Sequence, residues 1–454
     1  MSSQPLPGFR DFFPDDCARR NYLFAMWREV ARRYGFVEYD GPTVEPLSLY
    51  EKKSGGELVG QLFTVGTRAE PGEAKGALRP EMTPTLARMV AARERDFKKP
   101  LKWFCMPSFF RHERQQRGRL REFYQLNADI IGEASANADA ELISLTIDTL
   151  RQCGLTENDF VVRLSSREIW WDFLCSKAAN STAGVGYTLT EPLLAIIDRI
   201  EKQDEAKTNA QLSTGELARF GLTLTEIRKW MADWEQRILD PAYVGTGTEI
   251  SKIHEILHVH LGPRGLLKYV EVDFSIVRGL AYYTGVVFEV FDRSKKERAL
   301  AGGGRYDKLL HLMSDGKTDL PALGFGMGDV VLGNLIDDTP HAAKKMRAWI
   351  ANHHAADIYV VIAKEERRAD SLAIVQQLRD AGYRTDFPLA AAKVGKQFQT
   401  AEQCGARLAV LVGDEWPQVK IKTLATRDET LCLRDSLLEK IGERQESNTT
   451  VAFN

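Results

Sequence analysis

Phe110-Arg111-His112-Glu113-Arg114-Gln115-Gln116-Arg117-Gly118-Arg119-Leu120-Arg121-Glu122-Phe123-Tyr124-Gln125 reads as two strands joined by a basic loop. Beyond the loop, period-two alternation puts Phe123, Gln125, Asn127 and Asp129 on one face and Tyr124, Leu126, Ala128 and Ile130 on the other. The second face is apolar and can lie on a core. The first carries amides and a carboxylate, which a buried strand does not hold without partners. Before the loop, Arg111 and Glu113 share a face, with Phe110 and His112 opposite. A hairpin brings Arg111, Glu113, Gln125 and Asp129 onto one sheet surface, beside a loop bearing Arg114, Arg117, Arg119 and Arg121. That surface suits a small zwitterion next to a polyphosphate. The plainer alternative is a solvated antiparallel sheet, polar on one side.

A chain of 454 residues should hold two to four domains. Apolar content of 44% with 27% charged residues predicts a soluble globular protein. The net charge of −2 gives no global pull toward nucleic acid, so any RNA contact must come from local basic patches. The six cysteines have neither metal-ligand nor redox spacing, which predicts reduced thiols and a cytosolic, cytoplasmic setting. The N-terminus carries no apolar signal core, and no apolar run is long enough to span a membrane. Among the eight histidines, His254 and His258 are spaced i, i+4 but lack the glutamate of a zincin, so no dedicated metal site is expected.

Helical spacing of Leu23, Trp27, Val30 and Tyr34 predicts a helix over 15–34 that stops at Gly35. A strand at 37–39 runs into Gly41-Pro42, where proline suits an edge or an interface. A strand at 61–65, a glycine-rich loop, and Leu78-Arg79-Pro80-Glu81-Met82-Thr83 lead into a helix from about Thr83. After the hairpin come a helix at 138–152 and a strand at 160–164. Residues 167–260 are polar and helical, without period-two strands. Sheet patterns return at 269–274 and 286–291, followed by Gly302-Gly303-Gly304 and by glycines at 324, 326 and 328. Residues 337–356 read as a linker. Beyond it, β-α-β-α-β alternation from 358 to 412 predicts a compact α/β domain.

Four of these segments together resemble the histidyl-tRNA synthetase family of class II aminoacyl-tRNA synthetases. Phe110-Arg111-His112-Glu113 with its basic loop is similar to the second class II motif. Arg278-Gly279-Leu280-Ala281-Tyr282-Tyr283-Thr284-Gly285 is similar to a histidine-specific segment, 301–307 to the glycine strand, and 78–83 to the amino-acid loop. The resemblance implies an α+β fold: an antiparallel-sheet catalytic core (1–166 and 261–336) with an inserted helical module (167–260). A linker (337–356), a C-terminal α/β anticodon-binding domain (357–445) and a flexible tail (446–454) complete it. The implied activity is ligation of L-histidine to the histidine tRNA, with ATP and its Mg2+ as substrate, in a homodimer formed around Pro42. A histidine-binding regulatory subunit of ATP phosphoribosyltransferase and a non-catalytic tRNA-binding paralogue are the alternatives.

The resemblance also implies roles. Arg111 and Arg278 would clamp the α-phosphate. Glu81, Met82, Thr83 and Gln125 would hold the amino acid, with Asp129, Leu280, Tyr282 and Tyr283 around its imidazole. In an extended segment Tyr282 and Tyr283 face opposite ways, so one of them belonging to the core is the alternative. Glu113, Arg119, Arg121, Phe123, Gly326 and Gly328 would serve ATP, and Arg114, Gln116 and Arg117 the tRNA acceptor end. This chain departs from the family pattern at four places. Asp129 stands for a frequent glutamate, Ala281 for an aspartate and Met82 for a glycine, and Gly328-Asp329-Val330-Val331 lacks the arginine that usually ends the third motif.

Overall fold

Period-two and period-3.6 patterns become, in the computed structural model, two compact units, residues 1–346 and 347–454. The residues described are 4–51, 60–66, 74–114, 116–178, 189–243, 249–278, 282–294, 296–354 and 356–451.

The first unit contains β1 (Val37–Glu38), β2 (Val44–Pro46), β3 (Thr64–Gly66), β4 (Ala74–Leu78), β5 (Leu101–Cys105), β6 (Ser108–Phe110), β7 (Glu122–Ile131), β8 (Phe160–Ser166), β9 (Val270–Val272), β10 (Thr284–Asp292), β11 (Ala301–Arg305) and β12 (Ala322–Gly328). Its main sheet runs β1-β5-β7-β12-β11-β10-β8-β9, with β6 on the first half of β7. The six central strands are antiparallel throughout, and β1 and β9 join the two edges in parallel. A small sheet, β2-β4-β3, carries the loop before Pro80.

The alternation along β7 explains its place. Leu126, Ala128 and Ile130 are buried on one face, and the helix Ala136–Gln152 packs against the strand. The helix Pro14–Arg33 lies on Ala136–Gln152, where the Tyr22 hydroxyl donates to the Cys153 carbonyl at 3.2 Å. It ends where Gly35 takes a left-handed turn (φ +75). On the other face of the sheet the register aligns Cys105, Asn127, Gly326, Gly302 and Glu289 in one row, and Trp103, Asp129, Gly324, Gly304 and Val287 in the next. Four glycines therefore clear the middle of that face.

Between β8 and β9 the described residues of 167–260 form helices and no strand, among them Glu168–Lys177, Thr190–Ile197, Glu205–Leu212, Leu224–Leu239 and Glu249–His254. Leu224–Leu239 begins with a reciprocal capping box between Thr223 and Glu226.

The second unit holds β13 (Ile358–Ile362), β14 (Thr385–Asp386), β15 (Leu408–Val412), β16 (Gln418–Thr423) and β17 (Glu429–Leu433), ordered β14-β13-β15-β16-β17. The first three pair in parallel, which is why β13 and β15 are continuous apolar runs. The antiparallel hairpin β16–β17 was not among the elements read from the sequence. Two expectations change. The segment taken as a linker, 337–356, is largely helical, because Thr339-Pro340 opens the helix Pro340–His354, proline being well placed at a first turn. The segment taken as a flexible tail continues the helix Leu437–Val451, and 452–454 lie outside the described residues.

Candidate active site

The site begins at Arg79, which is buried. Its guanidinium donates to the Ser108 carbonyl (3.0 Å), the Gly41 carbonyl (2.8 Å) and Asp40 (3.0 Å), tying 78–83 to β6. This places the Pro80 carbonyl where Arg111 Nε donates to it at 2.9 Å. Arg111 and Glu113 were expected within a strand; they lie just past the end of β6. The Arg111 N–H still bonds the Arg121 carbonyl at 2.9 Å, so the loop closes as a hairpin does. The Arg111 guanidinium sits over the Phe123 ring, 5.4 Å from its centroid.

Arg278 arrives from the segment between β9 and β10. Its φ of +57 is left-handed, a conformation that costs a non-glycine residue about 1 kcal/mol or more. Arg167, itself buried, holds the turn by donating to the Val277 carbonyl (2.8 Å) and the Arg278 carbonyl (3.0 Å), while its other nitrogen donates to Glu191 (2.9 Å). The Arg278 guanidinium pairs with Glu289 and lies 5.5 Å from the centroid of Tyr283. Burial works against its charge, but Tyr283 and Glu289 outweigh that and hold its pKa above the ordinary value. A methyl group on Gly302 would fall inside this guanidinium, so glycine is required there for Arg278 to reach across β11. Gly326 clears the same kind of space for the Gln125 amide, whose atoms lie 2.6–2.8 Å from where a Cβ would stand.

Arg111 and Arg278 line one cavity of about 190 Å³, together with Glu113, Arg119, Phe123, Gln125, Gly302, Gly326 and Gly328. Glu113 pairs with Arg119. Leu120, Val330 and Val331 form an apolar wall. Asp329 also lines the cavity, and it accepts from Arg10 (2.8 Å) and from the Tyr124 N–H (2.9 Å).

Next to this cavity is a buried polar cluster. The Tyr282 hydroxyl donates to Glu81 at 2.9 Å, with Thr83 beside the same phenol. Glu81 is 5% exposed, its other carboxylate oxygen has no partner among the described residues, and burial raises its pKa. Asp129 is 4% exposed and accepts from the Tyr306 hydroxyl at 2.5 Å; burial raises its pKa to about 7. The Tyr282 and Tyr306 rings are 6.0 Å apart. Tyr283 packs on Ile276 and Val287 as well as bracing Arg278. The two tyrosines thus separate in role, Tyr282 toward Glu81 and Tyr283 toward the guanidinium.

Other residues singled out from the sequence fall elsewhere. The Met82 side chain packs with Cys105 and Phe109 in a core cluster. Arg121 lies against the N-terminal segment, bonding the Pro7 and Glu113 carbonyls at 3.4 Å with its stem on Gly8, and it does not line the cavity. Arg117 is paired with Glu297 (2.5 Å) and Asp338 (3.0 Å), Gln116 accepts from Arg298 (3.2 Å), and Arg114 is exposed. Pro42 is exposed between β1 and β2, near exposed Val37 and Val44. Leu280 lies outside the described residues. Tyr306, Arg167 and Arg298 were not foreseen. Tyr306 follows the glycine strand directly, which was the available signal; Arg167 and Arg298 gave none.

A family model described as histidyl-tRNA synthetase matches residues 8–328, and one described as anticodon binding domain matches 357–444. A histidine–tRNA ligase of Opitutus terrae is 42% identical over 434 residues, covering 94% of this chain and 95% of that protein. A chloroplastic/mitochondrial histidine–tRNA ligase of Arabidopsis thaliana is 36% identical, covering 94% and 84%. The crystal structure of histidyl-tRNA synthetase from Nostoc sp. PCC 7120 has the same fold, with a TM-score of 0.74 at 24% identity over 98% of this chain and all of that one. The expected architecture of an antiparallel catalytic sheet and a C-terminal anticodon-binding domain is the one found. With the family match over most of its length, and with two arginines and a glycine-cleared sheet meeting in one cavity, this chain belongs to the histidyl-tRNA synthetase family.

Proposed function

We propose that the chain activates L-histidine with ATP and transfers it to the 3′ end of the histidine tRNA. The observation that carries this reading is that Arg111 and Arg278, far apart in sequence, line a single cavity beside the buried Glu81–Tyr282 and Asp129–Tyr306 pairs. The histidine carboxylate attacks the α-phosphorus, forming a mixed anhydride as pyrophosphate leaves. A hydroxyl of the tRNA's terminal ribose then attacks the acyl carbon and AMP leaves. Charge grows on the α-phosphate in the first step, and preorganised guanidinium groups stabilise it where water is excluded. Two unit charges about 4 Å apart at an effective dielectric near 20 interact by roughly 4 kcal/mol.

Glu81, Thr83 and Gln125 provide acceptors and an amide for the α-ammonium group, with the second Glu81 oxygen open to a donor. Asp129 would accept one imidazole N–H and fix the tautomer, and Phe123 with the Leu120–Val331 wall would flank the adenine. Magnesium would arrive with the ATP phosphates. Glu113 offers the hard oxygen ligand it prefers, and the ion would offset phosphate charge. Exposed Val37, Pro42 and Val44 support a homodimer through this edge. No helix among the described residues is long and apolar enough to cross a membrane, and a cytoplasmic enzyme fits the scattered unpaired cysteines.

Histidine-dependent exchange of pyrophosphate into ATP, followed by charging of the histidine tRNA, tests the reading. Histidine binding without exchange would instead indicate a regulatory subunit, and tRNA binding with neither activity a non-catalytic paralogue.

A further inference from the structure

The cavity's own charges nearly cancel. Arg278 is paired with Glu289 and Arg119 with Glu113, and Asp329 is answered by Arg10, which leaves Arg111 as the cavity-lining guanidinium without a carboxylate partner among the described residues. A triphosphate needs more positive charge than that.

A further guanidinium is carried by the residue that adjoins the cavity wall. Arg298 immediately precedes Ala299, Leu300 and Ala301, which line the cavity. Its charge interacts with those of Arg119, Glu113 and Glu289, and its hydrogen bond is to the neutral amide of Gln116 at 3.2 Å. No carboxylate forms an ion pair with it among the described residues. The like charges of Arg298 and Arg119 repel. The arrangement becomes favourable when an anion lies between them, because both can then donate to it. Partial desolvation of the guanidinium, and after it the neighbouring Arg119 charge, hold the pKa of Arg298 below its ordinary value.

We propose that Arg298, acting with Arg119, binds the outer phosphates of ATP, supplying a cation in a chain whose third motif has Val331 where the family pattern has arginine. Arg298 touches the leaving pyrophosphate, whereas Arg111 and Arg278 serve the α-phosphate. The inference rests on the cavity being the ATP site.

The test is direct binding to the full-length protein by calorimetry, using ATP and AMP with Arg298→Ala and Arg298→Lys, alongside histidine-dependent pyrophosphate exchange. Arg298 is exposed, so folding should be unaffected, and a melting curve checks it. The expected result is an ATP Kd raised about tenfold or more in Arg298→Ala, AMP and histidine binding unchanged, and partial recovery in Arg298→Lys. An ATP Kd equal to the parent's, in a parent that performs exchange, overturns this inference alone. Equal weakening of ATP and AMP also overturns it, since it would move Arg298 to the nucleoside end. A parent that binds no ATP overturns both the inference and the reading beneath it.

Discussion

The Tyr306 hydroxyl donates to Oδ1 of Asp129 across 2.5 Å, and both groups are buried under the sheet face that the glycines clear. Burial lifts the Asp129 pKa from 3.8 to about 7, against the opposing pull of that hydrogen bond. A carboxyl raised on folding contributes stability that is complete below its unfolded pKa and lost as pH rises through its folded one. Asp129→Asn removes that loss. The ligand-free variant should therefore gain on the parent between about pH 4 and pH 7, by at most on the order of 4 kcal/mol. Urea titrations at both ends of the window measure it. The histidine KM should rise about 100-fold or more, with the ATP KM unchanged. An unaltered histidine KM would take Asp129 out of the amino-acid site.

Arg278→Ala should leave histidine binding within about threefold of the parent and slow pyrophosphate exchange about 100- to 1000-fold, the range for removing one preorganised donor. Equilibrium binding of histidine together with the exchange rate separates the two effects. Parent-like exchange in the variant refutes the clamp.

Arg167 does not itself line the cavity, yet it fixes the backbone turn from which Arg278 projects. Arg167→Met should lower the exchange kcat about tenfold with little change in the ATP KM, because the clamp is displaced rather than deleted. Arg167→Lys should not restore it. Arg167 spreads its donors over two nitrogens, Nη1 on the two carbonyls and Nη2 on Glu191, and one ammonium nitrogen cannot span that fork. Steady-state kinetics of both variants decide the matter, and full recovery with lysine would count against the positioning role.

Arg114→Ala should reduce tRNA charging about tenfold and flatten its salt dependence by about one unit of log–log slope, with pyrophosphate exchange unchanged. Arg117→Ala should weaken charging less, since that side chain is already paired with Glu297 and Asp338. A salt slope equal to the parent's in Arg114→Ala would exclude it as a phosphate contact.

What was legible in the sequence was what local periodicity encodes. The alternation from Phe123 to Asp129 gave both faces of β7, and the stop at Gly35 and the start at Thr83 marked helix ends correctly. Long-range chemistry was less accessible. Nothing near Arg121 in sequence says that it will lie along Pro7 and Gly8, and nothing near Arg167 says that it will reach Val277. The end of β6 was overrun because Arg111 and Glu113 continue the alternation after strand pairing has stopped. The helix Pro340–His354 was missed because Asp, Pro and His drew more weight than the alanines and lysines that favour a helix.

Gly302 and Gly326 carry a consequence for how variation in this enzyme should be read. Adding a methyl at either position meets the movable end of a side chain, not backbone, so the fold can absorb it by displacing Arg278 or Gln125. Heat resistance and expression would then look ordinary while turnover collapsed. In a survey of variants ranked by abundance, these sites would pass as tolerant; ranked by catalysis, they would stand among the least forgiving.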